Sequence, residues 1–247
     1  MAAAGDFERA RIERRTAGTV RRARTRVRPG RRKANPERNR CMSSIPLEFS
    51  ETKLTRLAAD WIVGAIGQGA IAIDATVGNG YDTLFLAHAV GPSGHVIGFD
   101  VQKAALKNAS ELLRFTGMMD RVRLVLGCHS GIEDYLRNGR PVQVAMFNLG
   151  YLPRGDRSIV TRAPTTLAAI DGLLRHLSTS GRVTILSYRG HAGGPEEYEA
   201  VRRYLDSPRN DLLVREVASQ FDSETTPRLF LLEKRNIGNA VNDVNDV

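Results

Sequence analysis

Short apolar runs alternate with stretches whose apolar residues recur every three or four positions, and this alternation persists from about residue 54 to residue 234. Leu54, Leu57, Ala58, Trp61, Ile62 and Ala65 fall at helical spacing, so an amphipathic helix opens the pattern, with Trp61 read as core rather than cofactor platform. Ala70–Ile73 and Gly94–Asp100 are compact apolar strands, and Leu84–Val90 and Ala104–Leu113 are the helices that follow them. Val122–Leu126 is a third strand and Ile132–Arg137 a helix. A fourth strand spans Val142–Phe147 and a long helix Thr161–Leu177, with Leu167, Ile170, Leu173, Leu174 and Leu177 on one side. A fifth strand over Arg182–Tyr188 and a last helix over Glu196–Leu205 precede two strands, Leu212–Ala218 and Arg228–Lys234, with no helical pattern between them. Five strands alternating with helices and then a directly joined pair predict an α/β fold, a doubly wound, seven-stranded, mostly parallel sheet.

In such a sheet ligands sit beyond the strand C-termini, so the residues that leave each strand carry the chemistry. Asp74-Ala75-Thr76-Val77-Gly78-Asn79-Gly80-Tyr81-Asp82-Thr83 leaves the first strand and enters a helix. Gly78 and Gly80 permit backbone angles and close ligand approach that side chains would block, and Asp82 and Thr83 are expected to cap the helix. Asp74 and Asp82 flank the turn with negative charge, which suits a cationic ligand better than a pyrophosphate. The acid Asp100 ends the second strand about 20 residues beyond the glycine turn, the place where ribose hydroxyls are accepted in dinucleotide folds. NAD would favour G-x-G-x-x-G, yet Thr83 stands where the third glycine belongs. S-adenosylmethionine combines an adenosine, a sulfonium and an amino-acid end, and fits these residues better. Singly, each glycine fits any strand-to-helix loop and Asp82 any helix cap; their joint occurrence in one strand-turn-helix-strand unit argues for a site.

Charge is unevenly distributed. Residues 1–41 carry 14 Lys+Arg against 4 Asp+Glu, and the rest of the chain 22 against 23, so the formal +9 belongs to the N-terminal arm. The arm, with its Arg21–Arg28 and Arg31–Lys33 runs, lacks apolar periodicity; residues 1–44 are read as a basic disordered extension able to contact phosphates, 45–235 as the catalytic domain and 236–247 as a polar tail. Two other readings compete for the arm. It could be a targeting peptide, against which Asp6, Glu8 and Glu13 speak, or translation from an upstream start with Met42 as the functional beginning, which the onset of the folded pattern favours. Cys41 and Cys128 give neither a disulfide framework nor metal-ligand spacing, so a reducing, cytoplasmic setting is expected, with Cys128 packed as a small residue. No stretch is apolar for long enough to span a bilayer, so no membrane partner is expected.

Three segments together carry a resemblance: Asp74–Thr83, Phe147-Asn148-Leu149-Gly150-Tyr151-Leu152-Pro153-Arg154-Gly155-Asp156, and Tyr188-Arg189-Gly190-His191-Ala192-Gly193-Gly194. They resemble the YtqB/MnmM-like methyltransferases over roughly residues 45–235, which have a Rossmann-like class I methyltransferase fold. The resemblance implies methyl transfer from S-adenosylmethionine to the amine of 5-aminomethyl-2-thiouridine at the wobble position, and so tRNA, through its anticodon region, as partner. It places Thr76, Gly78, Asn79, Gly80, Asp82 and Thr83 at the methionine end of the donor, Asp100 and Gln102 at its ribose, and His129 and Ser130 at its adenine. Asn148 and Leu149, also placed at the donor, and Tyr151 stand where other amine methyltransferases carry an N-P-P-Y-type loop: the Asn amide oxygen accepts from the substrate amine and the ring packs on the base. Leu149-Gly150 replaces the two prolines, and Ala192 stands where the family commonly has Pro. Asp156 and His191 are the candidates to accept the amine proton. Methyl transfer to rRNA or a small amine, a noncatalytic RNA-binding role and an NAD-dependent oxidoreductase are the alternatives, and a homodimer is left open.

Overall fold

The structure is a computed structural model that describes residues 53–137, 139–218 and 223–236. The basic extension, Cys41, Met42 and most of the polar tail lie outside the described residues.

In chain order the elements are α1 (Lys53–Val63), β1 (Ile71–Asp74), α2 (Tyr81–Ala89), β2 (His95–Asp100), α3 (Lys103–Phe115), β3 (Val122–Leu126), α4 (Ile132–Leu136), β4 (Val142–Leu149), α5 (Ala163–His176), β5 (Leu177–Ser187), α6 (Gly194–Leu205), β6 (Leu212–Ala218) and β7 (Arg228–Lys234). They form one seven-stranded sheet in the order β3-β2-β1-β4-β5-β7-β6. Every neighbouring pair is parallel except β5 with β7 and β6 with β7. The expected closing strands are thus present, with β7 inserted between β5 and β6.

The unbroken apolar runs in the strands follow from burial on both faces. Ala72, Val96, Val144, Met146, Leu186 and Leu229 face one way, onto Leu54, Ala58 and Ile62 of α1, Leu86 and Ala87 of α2, and Leu113 of α3. The alternate residues Ile73, Phe99, Ala145, Phe147, Ile185 and Phe230 face Ile132 of α4, Ile170 and Leu173 of α5, and Val201 of α6. Trp61 belongs to this packing as expected: it donates from Nε1 to the Leu232 carbonyl at 3.3 Å, and the Arg182 guanidinium lies 4.3 Å from its ring centre.

Several boundaries differ from the sequence expectation: α2 begins at Tyr81 rather than Leu84, α6 at Gly194 rather than Glu196, and three further shifts have a tertiary cause. β4 runs two residues past Phe147, because Asn148 and Leu149 still pair with Leu186 and Ser187 of β5. α5 begins at Ala163 rather than Thr161, whose N–H is held by the Gly150 carbonyl at 2.9 Å instead of entering the helix. β5 starts at Leu177 instead of Arg182; the register jumps from Val142↔Leu177 to Val144↔Arg182, and Ser180 takes a left-handed φ of 61° within the irregularity.

Strand order reverses direction at β1, with β2 on one side and β4 on the other. This switch point is where a doubly wound sheet opens its crevice, and the C-terminal ends of β1, β2 and β4 put Asp74, Asp100 and Asn148 around it.

Candidate functional site

The turn after β1 is stitched to both neighbouring strands. Ala75 N–H donates to the Met146 carbonyl of β4 at 2.9 Å, and Val77 N–H to the Phe99 carbonyl of β2 at 3.0 Å. Gly78 and Gly80 both take left-handed φ values, 52° and 88°, but for different reasons. A Cβ on Gly80 would stand 2.7 Å from the Ala109 Cα of α3, so close helix packing demands glycine there; one on Gly78 would meet nothing nearer than 3.7 Å. At Gly78 a Cβ would rest in ordinary contact with Leu152 and the Thr76 carbonyl, so it is the left-handed backbone rather than crowding that calls for glycine there.

Asp74 is fully buried; its carboxylate accepts Thr83 Oγ1 at 2.5 Å and Thr76 N–H at 3.1 Å. Burial, with Asp82 adding its charge, raises its pKa to about 7. Asp74 thus fastens the turn to the first turn of α2. The helix-capping role expected of Asp82 and Thr83 is not what the structure shows. Gly80 occupies the N-cap without a side-chain bond, while Thr83 turns back to Asp74 and Asp82 accepts a hydrogen bond from the Asn148 side-chain amide. Asp82 and Thr83 lie two and three positions past the N-cap, inside the first turn of the helix.

Asp100 receives two backbone amides, Gly78 N–H on Oδ2 at 2.9 Å and Gln102 N–H on Oδ1 at 2.8 Å. Its pKa is raised by burial, opposed by these amide bonds. Each carboxylate oxygen keeps a further lone pair, so the group can accept ligand hydroxyls while bracing the glycine turn. Asn79 accepts from the Asn108 side chain of α3 at 3.1 Å.

Asn148 joins the two halves of the site. Its N–H donates to Thr76 Oγ1 at 2.7 Å, and its side-chain Nδ2 donates to Asp82. A carboxylate accepts only, so the amide must present nitrogen to Asp82, which leaves Oδ1 as its outward acceptor. Leu149 continues the strand and is fully buried. Beyond it the β4 and β5 loops meet: Tyr188 N–H donates to the Leu149 carbonyl at 3.0 Å, and a Cβ on Gly150 would lie 3.5 Å from Tyr188 and 3.8 Å from His191 Nε2. The Tyr151 and His191 rings contact edge to face at 5.9 Å. Tyr188 was not among the expected site residues. Burial and the nearby Asp82 charge push its phenol up, which places it in the same cluster; its position at the end of β5 was the available signal.

The two candidate proton acceptors differ. Asp156 is exposed and accepts both the N–H and the hydroxyl of Ser158 at 2.8 and 2.7 Å; the hydroxyl bond first, then the amide, holds its pKa below the usual carboxylate range. His191 Nδ1 donates to the Ala192 carbonyl at 3.1 Å, and Nε2 is buried without a hydrogen-bond partner among the described residues.

His129 is in the expected place after β3 but turns its nitrogens inward. Nδ1 donates to the Ala75 carbonyl at 3.2 Å, Nε2 lies 3.4 Å from Thr166 Oγ1, and burial lowers its pKa. Thr166 in turn donates to Glu197 at 2.6 Å, and Glu197 accepts Thr161 as well, also at 2.6 Å. This buried chain of polar groups was missed. Its signal lay in the apolar stripes: Thr166 shares the Ile170 and Leu173 face, and Glu197 the Val201 and Leu205 face. The ring nitrogens of His129 are spent on protein, while Ser130 stays partly exposed beside it.

Among the described residues no cluster of His, Cys, Asp and Glu could hold a metal ion, and no helix is long and apolar enough to cross a membrane.

Comparison with known proteins matches residues 96–233 to a family model described as "Putative rRNA methylase". An Arabidopsis thaliana protein, tRNA (mnm(5)s(2)U34)-methyltransferase, chloroplastic, is 37% identical over 164 residues; the match covers 63% of this chain and 60% of the length of that protein. A crystal structure described as that of a "putative rRNA-methylase" from Clostridium thermocellum is 36% identical, with a TM-score of 0.71, over 75% of this chain and 100% of that one. A Streptococcus mutans protein described as "a putative methyltransferase", in complex with SAH, is 34% identical, with a TM-score of 0.67, over 74% of this chain and 99% of that one.

Proposed function

This chain belongs to the "Putative rRNA methylase" family, and from that premise we propose that it is an S-adenosylmethionine-dependent N-methyltransferase that methylates 5-aminomethyl-2-thiouridine at the tRNA wobble position. The Arabidopsis relative supports that substrate by its name, and the SAH in the Streptococcus mutans relative supports the donor. The observation in this chain that carries the reading is the Asp82–Asn148 bond, which ties the glycine turn of a donor site to a strand-end amide suited to an amine.

The residues present fit the donor. Asp100 can accept ribose hydroxyls, with Gln102 beside it. The left-handed turn at Thr76, Gly78, Asn79 and Gly80, with Asp82 and Thr83, suits the charged amino-acid end, and Ser130 with the loop backbone suits the adenine, with His129 as support behind. When bound, the donor supplies a methyl on a sulfonium, already a good electrophile. What the protein must add is orientation and a place for one proton. Asn148, its Nδ2 held by Asp82, presents Oδ1 to an amine N–H and so aims the nitrogen lone pair, while Leu149 fixes the strand end and Tyr151 offers a ring face to the base. An alkylammonium must lose a proton before it attacks. His191 is the candidate for that task, with Nδ1 donating to the Ala192 carbonyl and Nε2 left to accept, although Nε2 is buried and the loops around it must part before an amine or a water reaches it; Asp156 is exposed but tied to Ser158 and is the weaker base. The setting is cytoplasmic, a reading supported by the absence of paired or metal-spaced cysteines.

The test is equilibrium binding of S-adenosylmethionine and NAD, followed by donor-labelled transfer to bulk tRNA, rRNA and small amines. Donor binding without NAD binding, and label in tRNA alone, is expected. Label confined to rRNA or to the amines would replace the substrate, and NAD binding would replace the reaction.

A further inference from the structure

We infer that the segment Tyr151–Arg162 is the surface that receives the RNA, its arginines holding phosphates around the target nucleotide and Tyr151 stacking on an unpaired base. The inference rests on the reading above and adds where on this chain the RNA sits.

The segment leaves β4 directly after Asn148-Leu149-Gly150 and is an ordered loop closed at its base. Tyr151 forms an antiparallel bridge with Val160, and Thr161 N–H donates to the Gly150 carbonyl at 2.9 Å. Inside it, Gly155 N–H bonds the Leu152 carbonyl and Ile159 N–H the Asp156 carbonyl, while buried Leu152 anchors the loop from beneath. Its outer face carries Arg154, Arg157 and Arg162, all exposed. None of the three has a carboxylate partner among the described residues, and the loop's one acid, Asp156, is occupied by Ser158. The domain beyond residue 41 is otherwise almost balanced in charge, with 22 basic and 23 acidic groups, so a run of unpaired guanidinium groups at the mouth of the site is a local excess.

Two further features mark the loop as built for a ligand. Arg154 takes a φ of 65°, a conformation that costs a non-glycine residue about 1 kcal/mol or more and concentrates at working sites. Glycine would remove that strain, yet here a long cation is held at the position. The Arg157 guanidinium lies 5.4 Å from the centre of the Tyr151 ring, which is 37% exposed. An accessible aromatic face flanked by unpaired arginines is the combination that binds unstacked RNA bases and their backbone. Double-stranded RNA offers no free base for such a face, so the fit is to a single-stranded loop.

The experiment measures binding of an anticodon stem–loop RNA over a range of salt for the parent chain and for the triple variant Arg154→Gly, Arg157→Gln, Arg162→Gln. The triple variant is expected to bind about tenfold or more weakly, with a log–log salt slope shallower by about 2, from about 0.7 per phosphate contact on a single strand. Arg154→Gly alone is expected to weaken RNA binding while melting no lower than the parent, since it relieves the left-handed strain; this separates lost contact from lost fold. Tyr151→Ala is expected to weaken binding about tenfold and Tyr151→Phe much less. Parent affinity and slope in the triple variant would overturn the inference, as would a parent chain that does not bind the stem–loop. Methyl transfer to free 5-aminomethyl-2-thiouridine reports on the chemistry separately, so failure of the surface and failure of the reaction give different results.

Discussion

Asp100 holds the Gly78 and Gln102 amides with one oxygen each and keeps a lone pair on each for a ligand. Replacing it with alanine removes a charged acceptor and loosens the turn at once. Asp100→Ala is therefore expected to weaken donor binding by at least about tenfold, roughly 1.4 kcal/mol, by calorimetry; unchanged affinity would remove the ribose assignment. Spacing from the glycine turn made Asp100 legible in the sequence, because a strand-end acid has a fixed place in this topology. Asp82 was equally visible, but its partner was not: Asn148 lies 66 residues away, and only the β1–β4 pairing brings the two together. Glu197 was harder still. A first-turn glutamate on α6 looks like an ordinary helix-dipole acid, and it is buried because α5 closes over it with Thr166. Glu197→Ala strands the buried Thr166 hydroxyl and the half-buried Thr161 hydroxyl and is expected to cost about 2 kcal/mol in urea unfolding, with Glu197→Gln, which keeps an acceptor, costing clearly less.

At the scale of elements, the strand–turn–helix unit from β1 to α2 is held by Asp74, whose pKa stands near 7 in the folded chain against 3.8 unperturbed. The folded state therefore binds the proton more tightly than the unfolded state. This contribution is fully present below about pH 4, is lost as pH rises toward 7 at up to about 1.4 kcal/mol per pH unit, and is flat above. Asp100, raised by burial, adds in the same direction. Asp74→Asn is expected to flatten the stability profile between pH 4 and 7 in denaturant titrations; an unchanged slope would contradict the shift. Gly80→Ala must place a Cβ against the α3 backbone and hold a left-handed φ, so a loss of about 2 kcal/mol or more is expected. The existence and order of these elements were readable from apolar periodicity, and the last two strands were placed to the residue. Boundaries failed where tertiary bonds decided them. Thr161 looked helical because its neighbours are, but its amide and hydroxyl are claimed by Gly150 and Glu197. Leu177 looked like the end of a helix and instead starts β5 by pairing with Val142.

For the whole molecule, a doubly wound sheet gathers at one edge what the sequence scatters over more than 110 residues: a turn at 74–83, an acid at 100, an amide at 148 and two loops near 151 and 191. The fold was legible because both-face burial writes itself as unbroken apolar strands. Asn148 was placed at the donor site by the resemblance of its loop, but its bond to Asp82 was not legible, because it depends on β4 lying next to β1. Where the methyl lands separates transfer to the wobble amine from every alternative. Mass spectrometry of nucleosides from tRNA carrying 5-aminomethyl-2-thiouridine, after incubation with the protein and S-adenosylmethionine, is the direct measurement. The wobble nucleoside is expected to gain one methyl on its side-chain nitrogen, and Asn148→Ala to lose most of that product. A methyl found on another nucleoside or on a carbon or oxygen, or full product from Asn148→Ala, would contradict the arrangement drawn from strands β1 and β4.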